Sequence, residues 1–204
     1  MTRPLVLACG ALAAELRAVL VAGGIVDAVD VRYLPANLHN RPERIVPQLT
    51  ELLAELAPDD RPVLLAYADC GTGGHIDQLI ADHPNVRRLP GAHCYEFFAG
   101  SPLFAELHDA EPGTFYLTDF LAKHFDALVW QGLGLDRHPQ LRDDYFGNYR
   151  RVVLLSQACD DAVTGAARRA AEQLGLAFEH RHVGLTTFSE AVTAPLQVSL
   201  RRVV

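Results

Sequence analysis

The chain has 204 residues, half of them hydrophobic, and a formal net charge of −7 at neutral pH. A chain of this length can bury a full core, and we expect one compact domain over residues 1–204. Because no basic run is present to displace counterions from phosphates, the composition disfavours nucleic-acid binding. Apolar stretches such as residues 18–26 are too short to span a bilayer. We therefore expect a cytoplasmic protein with no membrane partner.

The first half of the chain alternates short apolar runs with helical patterns. The N-terminal apolar stretch is interrupted by Glu15 and Arg17, so it is better interpreted as strand, turn and helix than as a signal sequence. The apolar runs predict strands over 5–9, 29–33, 63–67 and 86–89. The helical spacing predicts helices over 11–21, from Pro42 or Pro47 to a stop at 58–60, and over 75–82.

The second half continues the alternation after a less regular middle. A helix is predicted over 95–108, a short strand over 114–117, and a buried strand or helix over 125–130; Asp119 could line a pocket or cap a helix. Strands over 151–156 and 176–182 enclose a helix over 160–174, and a short helix begins near Thr187. This βαβα order predicts a three-layer α/β fold, with a mostly parallel sheet and helices on both faces.

Three of the predicted strands have a cysteine at or just after their carboxyl end. Cys9 ends the first strand, Cys70 follows the third, and His93 and Cys94 follow the fourth. Parallel strands deliver their carboxyl ends to one edge of the sheet, so we expect these side chains to be neighbours. Three thiolates and one imidazole form a tetrahedral ligand set for zinc, with iron as an alternative. Because His93 and Cys94 are adjacent, His39 in the loop after the second strand competes with His93 as the imidazole ligand.

Other interpretations of these residues stay open. A free cysteine is often buried only to fill space, and Cys70 near a helix N-terminus could instead be a reactive thiolate of lowered pKa. The loop Gly71, Thr72, Gly73 and Gly74 could bind a cofactor phosphate, although it lacks the spacing and the lysine of known phosphate loops. We interpret Cys159 as structural or incidental. His180 and His182 share one face of a strand, which an ordinary polar sheet face explains.

A set of motifs extends this pattern in chain order over roughly residues 5–160. They are Ala8-Cys9, Leu38-His39-Asn40-Arg41-Pro42, Tyr67-Ala68-Asp69-Cys70-Gly71, His93-Cys94 with Gly100-Ser101, and Pro112-Gly113-Thr114-Phe115-Tyr116-Leu117-Thr118. Together they resemble the domain-of-unknown-function family DUF1638. The family usually has one residue between the histidine and the cysteine, whereas here the two are adjacent. Its members accompany corrinoid-dependent methyltransferase systems, so the resemblance implies a part in one-carbon or methyl-group metabolism.

The residues and the resemblance together predict a metal-binding protein of corrinoid- or folate-linked methyl-group metabolism. If it is an enzyme, we expect a methyltransferase, because a metal-bound thiol stays anionic and can accept a methyl group. The implied cofactors are zinc or iron, with a corrinoid or tetrahydrofolate, and the implied partner is a small molecule or a corrinoid protein; a homo-oligomer is compatible with this. The alternatives are a non-catalytic module that binds a cofactor or partner, and a metal-free enzyme with a reactive thiol.

Overall fold

A computed structural model describes residues 3–56 and 61–202 of the chain. The chain divides into two compact units, one formed by Met1–Phe97 with Leu185–Val204 and the other by Phe98–Gly184. Each unit has its own parallel sheet. Within the described ranges, no helix is both long enough and apolar enough to cross a membrane.

The first unit is built on a four-stranded sheet in the order β2-β1-β3-β4, with every neighbouring pair parallel. Its strands are β1 (Leu5–Cys9), β2 (Asp30–Leu34), β3 (Val63–Ala66) and β4 (Val86–Arg88). All residues of the central strands β1 and β3 are buried, which is the pattern of a sheet covered on both faces. The flanking helices are α1 (Ala13–Ala22), α2 (Ile45–Leu56), α3 (His75–Ala81), α4 (Cys94–Ala99) and α9 (Thr186–Arg202).

Helix α9 returns to the first unit after the chain has passed through the second. Its Phe188 is fully buried and stacks on Phe97, with 5.3 Å between the ring centroids. Burial of an aromatic side chain of this size stabilises a core by roughly 1.5–3 kcal/mol. This packing explains why the C-terminal segment folds with the N-terminal sheet.

The second unit contains a three-stranded sheet in the order β5-β6-β7, again wholly parallel. The strands are β5 (Thr114–Leu117), β6 (Arg151–Ser156) and β7 (Ala177–His182), and the helices are α5 (Ser101–Ala110), α6 (Asp119–Lys123), α7 (Arg142–Phe146) and α8 (Asp161–Leu174). Helix α8 packs its small apolar face, including Ala167 and Ala170, into the core formed with Val152 and Leu154. Asp160 caps this helix by accepting the N–H groups of Ala162 and Val163.

The predicted α/β class with parallel strands and flanking helices is confirmed, but the strands lie in two sheets instead of one. The expectation of a single domain over 1–204 stays a prediction. The helix predicted over 95–108 is two helices, because Gly100 takes a left-handed φ of 78° between them. Residues 126–130 form a short π-helical segment, and the last helix is 17 residues long instead of short. The predicted helix stop at 58–60 lies outside the described residues.

Candidate functional site

The end of β1 brings Cys9 against the segment that follows β2. Cys9 is only 3% exposed, and its Sγ accepts the backbone N–H two residues further on, at 3.4 Å. Gly10 permits a close approach, since a Cβ there would lie 2.9 Å from the carbonyl oxygen of Leu34. The chain after Leu34 therefore runs beside Cys9 and carries His39 to it in a 3₁₀ turn over Ala36–Asn40.

The hydrogen bonds of His39 define which ring nitrogen is available. Nδ1 lies 3.1 Å from the carbonyl oxygen of Ala36 and 3.7 Å from Cys9 Sγ. A carbonyl oxygen only accepts, so Nδ1 carries the proton and Nε2 keeps a lone pair. His39 is exposed to solvent, but protein atoms near its ring lower its pKa by desolvation. The hydrogen bond and electrostatic interaction with Cys94, together with the hydrogen bond to Ala36, outweigh this desolvation and raise the pKa of His39.

Cys70 lies four residues beyond β3 in a strained backbone conformation. Its φ is 52°, the left-handed region that side-chain-bearing residues occupy at a cost of about 1–2 kcal/mol. The backbone N–H of Cys70 donates to the carbonyl oxygen of Ala92 at 2.9 Å, and the N–H of Asp69 donates to Gly91 at 3.1 Å. These bonds tie the loop after β3 to the segment before α4, where Cys94 begins the helix.

The three thiols of this edge lie near enough to influence one another electrostatically. Burial raises the pKa of Cys9, of Cys94 and of Cys70, and the pKa of Cys70 reaches about 12. This direction is opposite to the lowered pKa that the reactive-thiolate alternative requires of Cys70, because burial dominates and α3 begins only at His75. Without a cation, all three groups are neutral thiols at pH 7. A bound metal would reverse this, since it favours the thiolate.

Tyr67 carries a buried hydroxyl beside these thiols. The side chain is 1% exposed, and among the described residues its hydroxyl finds no hydrogen-bond partner of ordinary geometry, although it comes near Cys9. Burial, then the neighbouring Cys9 and Cys70, raise the pKa of this phenol. A buried polar group left unpaired costs about 1–3 kcal/mol. A water or polar ligand bound among the thiols would satisfy it.

The structure thus brings Cys9, Cys70, Cys94 and His39 to one edge, with His93 beside them. His93 is exposed, and among the described residues it makes no hydrogen bond or ring contact with a thiol. Desolvation lowers the pKa of His93 against opposing effects from Asp69 and Glu96, and the nearby His39 lowers it further. In residues 3–56 and 61–202, no three His, Cys, Asp or Glu side chains already stand in a metal-binding arrangement. Side-chain rotation would be needed before these donors could share one ion.

The glycine-rich loop after Cys70 is organised by its own carboxylate. Asp69 accepts the N–H of Gly73 at 3.0 Å, the N–H of Gly74 at 2.7 Å and the hydroxyl of Thr72 at 2.8 Å. Desolvation raises the pKa of Asp69, but these hydrogen bonds and Arg88 lower it overall. Two of the N–H groups that a phosphate would use are therefore already engaged, which weakens the cofactor-phosphate interpretation of Gly71–Gly74.

An open groove of about 550 Å³ lies next to this loop. Its lining includes Gly71, Thr72, His75 and Pro42, with apolar surface from α2 and α3. This volume is within the range of small-ligand sites.

Comparison with known proteins identifies the family. The model of a family described as a protein of unknown function, DUF1638, matches residues 33–192. The chain belongs to this family. The matched segment of this DUF1638 protein includes His39, Cys70, His93 and Cys94, whereas Cys9 precedes it. No curated protein and no solved structure matches the chain.

The second unit of this DUF1638 chain has a polar cluster that the sequence analysis missed. Ser156 ends β6, and its Oγ lies 2.8 Å from His180 Nε2 and 3.1 Å from His182 Nδ1 on β7. Cys159 Sγ is 3.8 Å from Nδ1 of His182. The alternation of the two histidines was visible in the sequence, but the pairing of Ser156 with His182 in the parallel register was not.

Proposed function

We propose that the edge formed by Cys9, Cys70, Cys94 and His39 binds a zinc or iron ion in a cytoplasmic protein of methyl-group metabolism. One observation supports this most strongly: three mutually interacting thiols and an imidazole converge beside the unsatisfied hydroxyl of Tyr67. Soft thiolates with one imidazole are the ligand set that Zn²⁺ prefers. The raised thiol pKa values describe a site that is neutral without a cation and becomes anionic with one.

Backbone hydrogen bonds hold three of the four donor residues, which favours a defined site. Cys9 is held by the N–H of Ala11, His39 by the carbonyl of Ala36, and Cys70 by the carbonyl of Ala92. Because the Ala36 bond fixes the proton on Nδ1 of His39, Nε2 is the nitrogen that would bind an ion. Such an outer hydrogen bond orients a metal-bound histidine and increases its basicity.

The role in methyl-group metabolism rests on the family resemblance and on the donor set. A bound zinc ion supplies a lowered pKa to a thiol ligand, which then stays anionic and can accept a methyl group. We assign a small molecule to the groove beside Gly71, and a methylated corrinoid protein or methyl-tetrahydrofolate as the methyl donor, which leaves in its demethylated form. If turnover occurs, the protein is a methyltransferase.

The first test is the metal content of untagged protein purified without oxygen, measured by plasma mass spectrometry. We expect Cys70→Ser and His39→Gln to lose about one zinc or iron equivalent per chain relative to wild type. His93→Gln is the matched control, because it removes a neighbouring imidazole that makes no hydrogen bond to a thiol among the described residues, and it should keep the ion. Equal metal content in wild type and Cys70→Ser would refute the site. Loss in His93→Gln with retention in His39→Gln would reassign the imidazole ligand.

The second test separates an enzyme from a binding module. Wild-type protein is mixed with a methylated corrinoid or methyl-tetrahydrofolate and a small thiol, and methyl transfer to the thiol is followed by mass spectrometry. Transfer that depends on Cys70 would support the methyltransferase. Tight binding of the corrinoid or folate without transfer would favour the non-catalytic module, and a metal-free protein with one alkylatable cysteine would favour the thiol enzyme.

A further inference from the structure

The strand ends of the second unit place four metal-compatible or hydrogen-bonding side chains together. His180 and His182 are two residues apart on β7 and therefore project from the same face of the sheet. Ser156 lies directly opposite His182 in the parallel register, and its hydroxyl is bonded to both rings. Cys159 approaches the His182 ring, at 3.8 Å from Nδ1 and 3.9 Å from Nε2.

A buried carboxylate fixes the turn that carries this cluster. Asp119, 4% exposed, accepts the N–H of Gln157 at 3.1 Å and the N–H of Ala158 at 2.8 Å. In return, Gln157 Oε1 accepts the N–H of Asp119 at 2.9 Å. The turn between Ser156 and Cys159 is thus locked to α6, which holds both side chains near the histidines with little freedom of the backbone.

Nucleophilic catalysis by Ser156 does not fit this arrangement. Ser156 is only 1% exposed, and its hydroxyl is enclosed by the two imidazoles, so a substrate could not reach it. By contrast, His180, His182 and Cys159 are all exposed at the surface. The groups accessible to a ligand from solvent are therefore two imidazoles and one thiol, which bind transition-metal ions.

We propose that His180, His182 and Cys159 bind a divalent first-row transition-metal ion of the Zn²⁺, Co²⁺ or Ni²⁺ class. Ser156 is the positioning residue, which orients both rings through its hydroxyl. Ser156 engages Nδ1 of His182, so Nε2 is the nitrogen free for the ion, and its separation of 3.9 Å from Cys159 Sγ is close to the roughly 3.5 Å between sulfur and nitrogen ligands of one tetrahedral ion. Since the three side chains do not yet stand in a metal-binding arrangement, the ion would rotate the exposed Cys159 side chain into place.

The site is distinguishable from the thiol-rich edge of the first unit by nuclear magnetic resonance of the full chain. Paramagnetic Ni²⁺ is added in steps to protein labelled at the histidine rings, and the imidazole signals are assigned with single His→Gln variants. We expect the His180 and His182 signals to broaden together, with the exposed His138 unaffected at the same Ni²⁺ concentration. Uniform broadening of all nine histidines, or broadening of His138 before His182, would overturn the proposal.

The affinity of the site for Co²⁺ is measured by isothermal titration calorimetry on untagged full-length protein. The proposal requires a dissociation constant below about 0.1 mM for this site, and a weaker constant overturns it. His182→Gln and Cys159→Ser should each weaken this constant at least about tenfold, whereas His138→Gln should leave it unchanged. An unchanged constant in either cluster variant refutes the assignment of that ligand. Circular dichroism of each variant checks that these exposed substitutions leave the fold intact.

Discussion

The two sheet edges of this DUF1638 protein are each organised by an aspartate after a strand, but the two carboxylates act over different distances. Asp69 accepts the N–H groups of Gly73 and Gly74, four and five residues ahead of it. Asp119 accepts those of Gln157 and Ala158, which are 38 and 39 residues away. Asp69 is partly exposed, whereas Asp119 is buried.

Asp69 therefore organises a local loop, whereas Asp119 joins two segments that are far apart in the sequence. The Asp69 loop can form within a short stretch of chain, and it presents Cys70 in a strained conformation to neighbouring thiols. The Asp119 bond forms only when β5 and β6 are paired, so it reports on the assembled sheet. We therefore expect unusual thiol reactivity at the first edge, and a larger contribution of the aspartate to folding stability at the second.

The largest expected contrast is in thiol reactivity. In chelator-treated protein at pH 7, the exposed Cys159 should be alkylated at least about a hundredfold faster than Cys70. With a pKa of about 12, Cys70 is a thiolate in only about one molecule in 10⁵, and Cys9 is also buried. Peptide mass spectrometry after timed iodoacetamide exposure measures this, with unfolded protein as the control in which all four cysteines react. Faster labelling of Cys70 would revive the reactive-thiol interpretation.

The next effect concerns the stability contributed by the two carboxylates. Asp119→Ala should lower the free energy of unfolding by about 2–3 kcal/mol, because the buried N–H of Gln157 loses its acceptor and that of Ala158 loses a charged one. Asp69→Ala should lower it by only about 1 kcal/mol, since water can replace a partly exposed acceptor. Urea denaturation measures both, and Asp119→Asn, which keeps one acceptor oxygen, should lie between wild type and Asp119→Ala. Equal losses for the two alanine variants would contradict the distinction.

The same contrast explains how much could be predicted from the sequence. The continuous apolar runs at β1, β3 and β6 and the helical spacing of α8 depend on local pattern, so these elements were predicted within one or two residues. The proximity of Cys9, Cys70 and Cys94 followed from the rule that parallel strands end at one edge.

What could not be predicted depends on register and on long-range pairing. The approach of His39 to Cys9 requires the close backbone contact at Gly10, which no local pattern reveals. The division into two sheets depends on which strands pair, and the Ser156 cluster depends on the register of β6 with β7. The raised pKa of Cys70 likewise comes from burial in the folded chain, which the local sequence does not reveal.

A smaller effect tests backbone strain at two left-handed positions. Cys70 has a φ of 52°, and Gly175, which ends α8, has a φ of 71°. Cys70→Gly should be about 1 kcal/mol more stable than Cys70→Ala, whereas Gly175→Ala should be about 1 kcal/mol less stable than wild type. A Cβ at Gly175 would meet only the flexible end of Arg142, so backbone conformation should dominate. Thermal and urea unfolding measure both, and equal stability of the two Cys70 variants would argue against strain there.

The smallest expected effect is the pH dependence of the Asp69 contribution. Its pKa is lowered in the folded chain, so the stabilisation is fully present above the unfolded-state pKa of about 3.9 and is lost as the pH falls through the lower folded pKa. The difference in unfolding free energy between wild type and Asp69→Asn should thus be constant from pH 7 to about pH 5 and shrink below about pH 4. Asp77, whose pKa Arg88 lowers, titrates in the same direction. Only the difference between wild type and Asp69→Asn therefore isolates Asp69. A difference that grew on acidification would mean that the Gly73 and Gly74 hydrogen bonds favour the neutral acid, and the local carboxylate would then not organise the Cys70 loop.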